Sequence, residues 1–329
     1  MNNLIKFSIF TPTYNGEKFI KSCIDSVLNQ NLTEFEWYIY DDGSTDSTYD
    51  VLKKLVLNDR RVHLSRGDNG NSIERMNDFL DNAKGQYIAF IDHDDIWNDK
   101  DFLNSIYSKL IETKSDCLVT SYTLIDKKNN ILNSYTPTLN DSLILNQKQL
   151  KIKFLTSLEI EGFRWNKFYR NSTVKMSGLK FKKNSFPADL PFEFDLLDHV
   201  NTAVLLDNHN YLYRQLSQSE VGNINRKKIG GFLETYNKIS KKAEKSLPFE
   251  SWYYYSWRYI NLIFDIIKNK KICKNQLSEI LSKYPLKNCV QNNIINTILL
   301  INKIKNHREG RFIFSLKILC VWIYCKFFR

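Results

Sequence analysis

The sequence predicts an α/β protein: a mostly parallel sheet flanked by helices, followed by a C-terminal α-helical extension. Three observations carry that reading. Short apolar runs alternate with segments of helical periodicity through the first hundred residues, and such alternation folds as parallel strands joined by crossover helices. The polar clusters fall where those apolar runs end, which is where open parallel sheets bind ligands. The charge is also divided. Residues 241–329 hold 13 Lys and 4 Arg against 4 Glu and 1 Asp, a net +12, which leaves −1 of the total +11 for residues 1–240.

The elements follow in order. Phe7-Ser8-Ile9-Phe10 makes the first strand, and Thr11-Pro12-Thr13-Tyr14-Asn15-Gly16 turns it into a helix from Glu17, where Phe19, Ile20, Cys23, Ile24 and Val27 recur on one face. A second strand, residues 35–40, ends in Asp41-Asp42-Gly43-Ser44-Thr45-Asp46. Asp46 or Ser47 caps the next helix, which turns Val51, Leu52, Leu55 and Val56 inward. Residues 62–65 give a third strand and a Gly/Asn-rich loop, and residues 72–82 a helix. The apolar run Tyr87-Ile88-Ala89-Phe90-Ile91 then stops at Asp92-His93-Asp94-Asp95. This is the pattern of a buried strand that delivers three carboxylates to its C-terminal mouth. Neighbouring carboxylates repel unless a cation lies between them, and Mg2+ or Mn2+ held in this way keeps positions open for phosphate oxygens. The three strand ends converge on one crevice, with room for a base and ribose at the first two and a metal-bound diphosphate at the third.

FSIFTPTYNGEKFIKSCIDSVLNQ, WYIYDDGSTDST, NGNSIERMND, AKGQYIAFIDHDD and WNKFYR strongly resemble the inverting family 2 glycosyltransferases, whose fold is the Rossmann-like GT-A fold. The likeness covers about residues 5–215 and is clearest over 7–97. It implies a role for each matching position. Thr11, Pro12 and Tyr14 would line the uracil and ribose pocket of a UDP-sugar, with Glu17 beside them. Asp41 would accept a hydrogen bond from the uracil ring, with Asp42 adjacent. Asp92 would meet the ribose or metal-bound waters and Asp94 would bind Mn2+ or Mg2+ directly, so that Asp92 and Asp94 form the metal pair. Asp95 would face the sugar or acceptor. Asn77 stands where the family carries Arg-Asn; Met76 replaces that arginine, and either Arg75 takes its contact or the contact is missing. His93 counts with the donor contacts and not as a metal ligand. Asp189 aligns with the catalytic base, and Ala188 stands in place of the family's Glu. Without that acidic neighbour the Asp189 pKa should be less elevated than in a paired site. Glu193 and Asp195 are alternative bases, and a helix N-cap is the plain structural alternative for Asp189.

Beyond the best-matched part, residues 118–125 read as a strand, 138–158 as a helix, and 201–206 and 211–215 as further strands. Sugars present flat C–H faces that stack on aromatic rings, so Trp97 and Trp165 are candidate acceptor contacts, with core packing the competing reading. Lys167, counted with the donor contacts, or Arg164 would help neutralise a departing diphosphate. Arg214 reads as a structural ion-pair partner. Ser217, Gln218 and Ser219 read as a flexible loop closing over donor and acceptor.

Hydrophobic content of 43% and aromatic content of 14% exclude a disordered chain. The domains expected are 1–220, donor-binding and catalytic, and 221–329, basic and helical. In the last segment Arg311, Ser315, Trp322, Lys326 and Arg329 share one stripe, and the remainder is apolar apart from Lys317. Too short to span a bilayer, it suits the headgroup plane of a membrane, or else a core or dimerisation contact. No run of about 20 apolar residues is present, no signal peptide is read at the N-terminus, and no base-reading motif favours nucleic acid. The six cysteines form no CxxC pair and read as reduced core residues. Together these features predict a cytoplasmic enzyme, peripheral on the inner face of the membrane. It would move a hexose or N-acetylhexosamine from a UDP-sugar to a glycan or lipid-linked glycan in surface polysaccharide or lipo-oligosaccharide synthesis. The alternative is a non-catalytic nucleotide-sugar or glycan binding subunit, with Ala188 as the mark of a decayed site.

Overall fold

The computed structural model describes residues 4–137, 140–156, 160, 162–183, 185–216 and 225–268. The chain divides into two compact units, Met1–Ser219 and Glu220–Arg329. The first unit begins β1 (Phe7–Thr13), α1 (Ile20–Leu28), β2 (Phe35–Asp41), α2 (Thr48–Val56), β3 (Val62–Arg66), α3 (Ser72–Asn82) and β4 (Tyr87–Phe90). It continues β5 (Ile96–Trp97), α4 (Phe102–Thr113), β6 (Cys117–Thr120), β7 (Tyr122–Ile125), β8 (Ile131–Tyr135), β9 (Ser142–Asn146) and α5 (Gln147–Thr156). Then come β10 (Lys167–Arg170), α6 (Asn171–Ser177), α7 (Asp189–Leu196), β11 (Thr202–Leu206) and β12 (Tyr211–Arg214).

Eight strands form the central sheet in the order β3-β2-β1-β4-β10-β6-β11-β9. From β3 to β4 the pairing is parallel, as it is between β6 and β11. The register pairs Thr13 with Asp41 and Asp41 with Arg66, so the carboxyl ends of β1, β2 and β3 lie level. Phe10 pairs with Phe90, and Ile91 N–H donates to the Phe10 carbonyl at 3.2 Å, so the acidic loop opens beside the end of β1. Ile20, Cys23, Ile24 and Val27 are the buried face of α1, as their spacing requires.

Two strands run against the rest: β10 is antiparallel to β4 and β6, and β9 to β11. The direction of β10 matters for the site. Phe168 pairs with Ala89 and Arg170 with Tyr87, so the residues just before β10 lie next to the mouth of β4.

The segment read as one strand over 118–125 breaks at buried Ser121. Its N–H donates to the Leu206 carbonyl at 3.1 Å and its hydroxyl to Asp207 at 2.9 Å. The chain thereby leaves the central sheet at β6 and enters a second, four-stranded sheet at β7, in the order β5-β12-β7-β8. The helix expected over 138–158 begins instead as β9, paired along β11, and is helical only from Gln147. Leu143 and Leu145 share one side there and exposed Ile144 takes the other, the period of a strand.

In the second unit α8 (Arg226–Ala243) and α9 (Pro248–Lys268) form a helical pair. Asn225 caps α8 by accepting from Lys228 N–H at 3.0 Å, and the hydroxyls of Ser240 and Ser251 meet at 2.9 Å. Among the described residues no helix is long and apolar enough to cross a membrane, and Cys23 and Cys117 are buried free thiols. The Ser217–Ser219 loop and the Arg311–Arg329 stripe lie outside the described residues.

Candidate active site

The loops that follow β1 and β2 are stitched to each other. Asn15, at φ 50°, donates its N–H to Ser44 Oγ at 3.0 Å and accepts from Thr45 N–H at 2.8 Å. Gly16 N–H donates to Thr48 Oγ1 at 2.8 Å, and Glu17 accepts from Ser47 N–H at 3.0 Å. Glu17 is therefore occupied as a loop tie. Thr11 is wholly buried and accepts from Trp37 Nε1 at 3.0 Å. Pro12 is half-buried, and Tyr14 is exposed. Asp41 accepts from the N–H and hydroxyl of Ser44 and pairs with Arg66 Nε at 3.1 Å. A base that used Asp41 would share it with these groups. Asp42 accepts from Gly70 and Asn71 N–H, each at 2.9 Å, and so folds the glycine-rich loop over the strand ends.

On α3, Arg75 is exposed and pairs with Asp78 at 2.7 Å, one turn along its own helix. Asn77 donates to the Phe181 carbonyl at 3.0 Å and accepts from Phe181 N–H at 2.8 Å. Its amide holds the stretch before α7 against α3. The donor-contact expectation for Asn77 gives way to this clamp.

The acidic loop sorts its carboxylates by direction. Asp95 is wholly buried; it accepts from the Tyr211 hydroxyl at 2.7 Å and from Arg214 N–H at 2.8 Å. Burial first, then Asp94 and Asp92, raises its pKa well above the ordinary carboxylate value. Asp95 thus roots the loop to β12, and this replaces its expected place at the sugar or acceptor. Asp95→Ala leaves two buried donors without an acceptor and should destabilise the fold by about 3 kcal/mol, as read by urea unfolding. Arg214 completes the root, donating to the carbonyls of Asp94 (2.8 Å) and Asp126 (2.9 Å) and to Asn129 Oδ1 (2.7 Å). Its contacts are structural, but they go to carbonyl and amide oxygens, and among the described residues it makes no ion pair of the kind expected.

Asp94 is half-buried, and its carboxylate accepts no hydrogen bond among the described residues. His93 rests over Gly16, where an added Cβ would come within 2.3 Å of its Cδ2. Trp97 and Trp165 are both nearly inaccessible. Trp97 packs on Phe102 and Phe168, and Trp165 stacks with Tyr211 and Tyr213 at centroid distances of 4.7 and 4.5 Å. The acceptor contacts expected of these two rings give way to core packing.

Across the crevice, Arg164 reaches two acids at once, Asp92 at 2.6 Å and Asp189 at 2.5 Å. The antiparallel run of β10 puts residue 164 at the mouth of β4. Gly162 allows the approach to α7, because a Cβ there would fall 1.9 Å from Leu190 Cδ1. Burial works against the guanidinium's charge, but Asp189 and Asp92 outweigh it and hold the Arg164 pKa above its ordinary value. Asp189 is the first residue of α7, and among the described residues its carboxylate accepts from Arg164 and from no backbone N–H of the helix. Burial raises its pKa, and Arg164 opposes the rise. Basicity here comes first from desolvation, with Asp92 across the guanidinium adding to the rise and Ala188 offering no adjacent acid.

Lys167, expected at the diphosphate, is enclosed behind the crevice. Its ammonium donates to the Phe163 carbonyl and to Asn166 Oδ1 (3.2 Å) and lies 3.6 Å from Glu193. Glu193 is fully buried and accepts from the Tyr169 hydroxyl. Burial pushes its pKa from 4.5 up to about 7, with Lys167 and Tyr169 pulling the other way. The folded protein keeps that proton where the unfolded chain has released it, so the contribution to stability is full below 4.5 and is lost as pH rises through about 7. Glu193→Gln should flatten that loss: between these pH values the melting temperature of the native protein falls relative to that of the variant.

Residues 8–169 match the model of the family described as Glycosyl transferase family 2. The chain is 25% identical over 171 residues to the glycosyltransferase GlyA of Streptococcus pneumoniae, 50% of this chain and 24% of that one. It spans about half the length of further curated relatives from Bacillus subtilis. Among solved structures it resembles Staphylococcus aureus TarS 1–349 in complex with UDP-GlcNAc, with a TM-score of 0.63 at 21% identity over 86% of this chain and 82% of that one. It also resembles the mannosyltransferase PcManGT of Pyrobaculum calidifontis in complex with GDP-Man and Mn2+, with a TM-score of 0.54 at 11% identity over 87% and 81%. At these identities the structural likeness is one of fold.

Proposed function

The chain belongs to glycosyl transferase family 2 and has the GT-A fold, and from that premise we propose that it is a metal-dependent, inverting transferase. It moves a hexose or N-acetylhexosamine from a UDP-sugar to a hydroxyl of a glycan or lipid-linked glycan. The observation that carries the reading is a single crevice at the strand mouths, where Arg164 joins Asp92 to a largely buried acid, Asp189, beside Asp94, whose carboxylate has no hydrogen-bond partner among the described residues. A uridine nucleotide as donor is supported by the exposed Tyr14 and by the UDP-GlcNAc bound to TarS.

The residues fit a hard divalent cation. Among the described residues no three His, Cys, Asp or Glu side chains could hold a metal by themselves. Mg2+-type sites fit that pattern, using one or two carboxylates and leaving the other positions to phosphate oxygens and water. Asp94 and Asp92 would hold the ion, and PcManGT was solved with Mn2+. Bound there, the cation offsets the charge that develops on the leaving diphosphate. Asp189 accepts the proton of the acceptor hydroxyl as that oxygen bonds to the anomeric carbon. The bond from the same carbon to the phosphate oxygen breaks, and its electron pair leaves on UDP. One displacement inverts the centre.

The +12 charge of residues 241–329 supports an acidic surface as the neighbour of this site, namely the inner face of a membrane bearing lipid-linked acceptors for surface polysaccharide or lipo-oligosaccharide. Ala188 beside the base favours one other reading, a non-catalytic nucleotide-sugar binding subunit. A panel of nucleotide-sugars assayed for Mn2+-dependent thermal stabilisation and slow donor hydrolysis separates the two. Stabilisation with turnover is the expected result, and stabilisation without any turnover favours the binding subunit.

A further inference from the structure

We propose that Arg164 is a positioning residue that holds Asp92 and Asp189 closed on one guanidinium until a nucleotide diphosphate takes that guanidinium over, so that cation and nucleotide enter the site together. The inference rests on the reading of the site as a UDP-sugar transferase.

The geometry is that of a clasp. One terminal nitrogen of Arg164 meets Asp92 Oδ1 at 2.6 Å and the other meets Asp189 Oδ2 at 2.5 Å. The three side chains are 13%, 27% and 17% exposed, so the clasp is shielded but open to the crevice. The guanidinium lies over the Phe90 ring, 5.8 Å from its centroid. Its Nε is buried with no acceptor among the described residues, a donor left over in this arrangement.

Two consequences follow. A divalent cation arriving alone meets Asp92 already neutralised, with a fixed positive charge beside it, and must compete with that charge for the carboxylate. A diphosphate changes the balance, because its oxygens match the planar fork of an arginine at least as well as two separate carboxylates do. Once Arg164 turns to the phosphates, Asp92 is free for the cation. Asp189 then loses its ion-pair partner and faces the acceptor as a free base. Neither neighbouring cation can do this in its place. Lys167 is enclosed with Glu193, and Arg214 is spent on backbone carbonyls and Asn129.

The test is Mn2+ binding to the full chain, followed by electron paramagnetic resonance of the free ion with and without UDP, in the native protein and in Arg164→Met and Arg164→Lys. In the native protein UDP should tighten Mn2+ about tenfold or more, and in Arg164→Met Mn2+ alone should bind about tenfold tighter while the gain from UDP shrinks in proportion. Arg164→Lys keeps the charge and loses the fork, and its Mn2+ affinity should fall between the two. If the methionine variant does not fold, as read by circular dichroism, the lysine variant decides. A native protein that couples Mn2+ to UDP, with a folded variant whose coupling is unchanged, overturns the role of Arg164 and leaves the transferase reading standing. A native protein that binds neither overturns both.

Discussion

Asp189→Asn is expected to lower sugar transfer by about a thousandfold, the scale of a lost general base, while UDP still binds in the presence of Mn2+. The reason lies in what surrounds the carboxylate. Asp189 is at the start of α7, its pKa raised by burial and restrained by Arg164, and in the resting protein its charge is balanced across the crevice. Asparagine keeps the shape and the contact with the guanidinium but cannot take a proton. The pH profile of the native enzyme should follow the same carboxylate. Because the pKa is raised, activity is lost on the acid side at a higher pH than an ordinary aspartate would impose, and it rises as pH climbs through that value. A transfer rate unchanged in Asp189→Asn would move the role elsewhere. Glu193 is a poor successor, since it is fully enclosed with Tyr169 and Lys167.

Asp94→Asn should be comparably severe, removing about a thousandfold of Mn2+-stimulated transfer, because several kcal/mol of leaving-group stabilisation depend on a cation that the amide cannot hold. The change should cost little stability. The Asp94 carboxylate has no hydrogen-bond partner among the described residues to lose, whereas that of its neighbour Asp95 holds two. Calorimetry of Mn2+ with UDP and a melting curve on one sample of the variant separate the two effects. A variant that melts normally and still binds Mn2+ with native affinity would sink the assignment of Asp94 to the metal.

The contrast between Asp94 and Asp95 shows what a linear sequence can and cannot convey. The strand preceding them was legible from five apolar residues in a row, and the loop from the change to charge. Which carboxylate turns inward depends on Tyr211 and Arg214, whose strand pairs back on β5 from more than a hundred residues away. Periodicity carries no trace of such a partner. Arg164 and Lys167 pose the same difficulty three residues apart. Both are cations beside the same aromatic run, and only the antiparallel insertion of β10 decides that the first reaches the crevice and the second lies behind it. Trp97 and Trp165 are ambiguous for a related reason: a large ring suits a sugar face and a core equally until its neighbours are known. The break at Ser121 was hidden because Leu118 to Ile125 are apolar or β-branched nearly throughout, and one small residue among them signals neither a bend nor a change of sheet. The parallel half of the sheet was legible because local period and loop chemistry determine it; the rest depended on long-range pairing.

The root of the acidic loop also sets an order of events during synthesis. β1 to β4 can pair soon after they leave the ribosome, but Asp95 acquires its two donors only when Tyr211 and Arg214 emerge, 116 and 119 positions later. At bacterial or eukaryotic elongation speeds that interval is about ten seconds. Throughout it, the nascent chain owns an assembled nucleotide-side scaffold while the acidic loop still lacks its anchor. Maturation of the proposed catalytic centre is therefore a late step, timed by translation of the strand that ends the first unit.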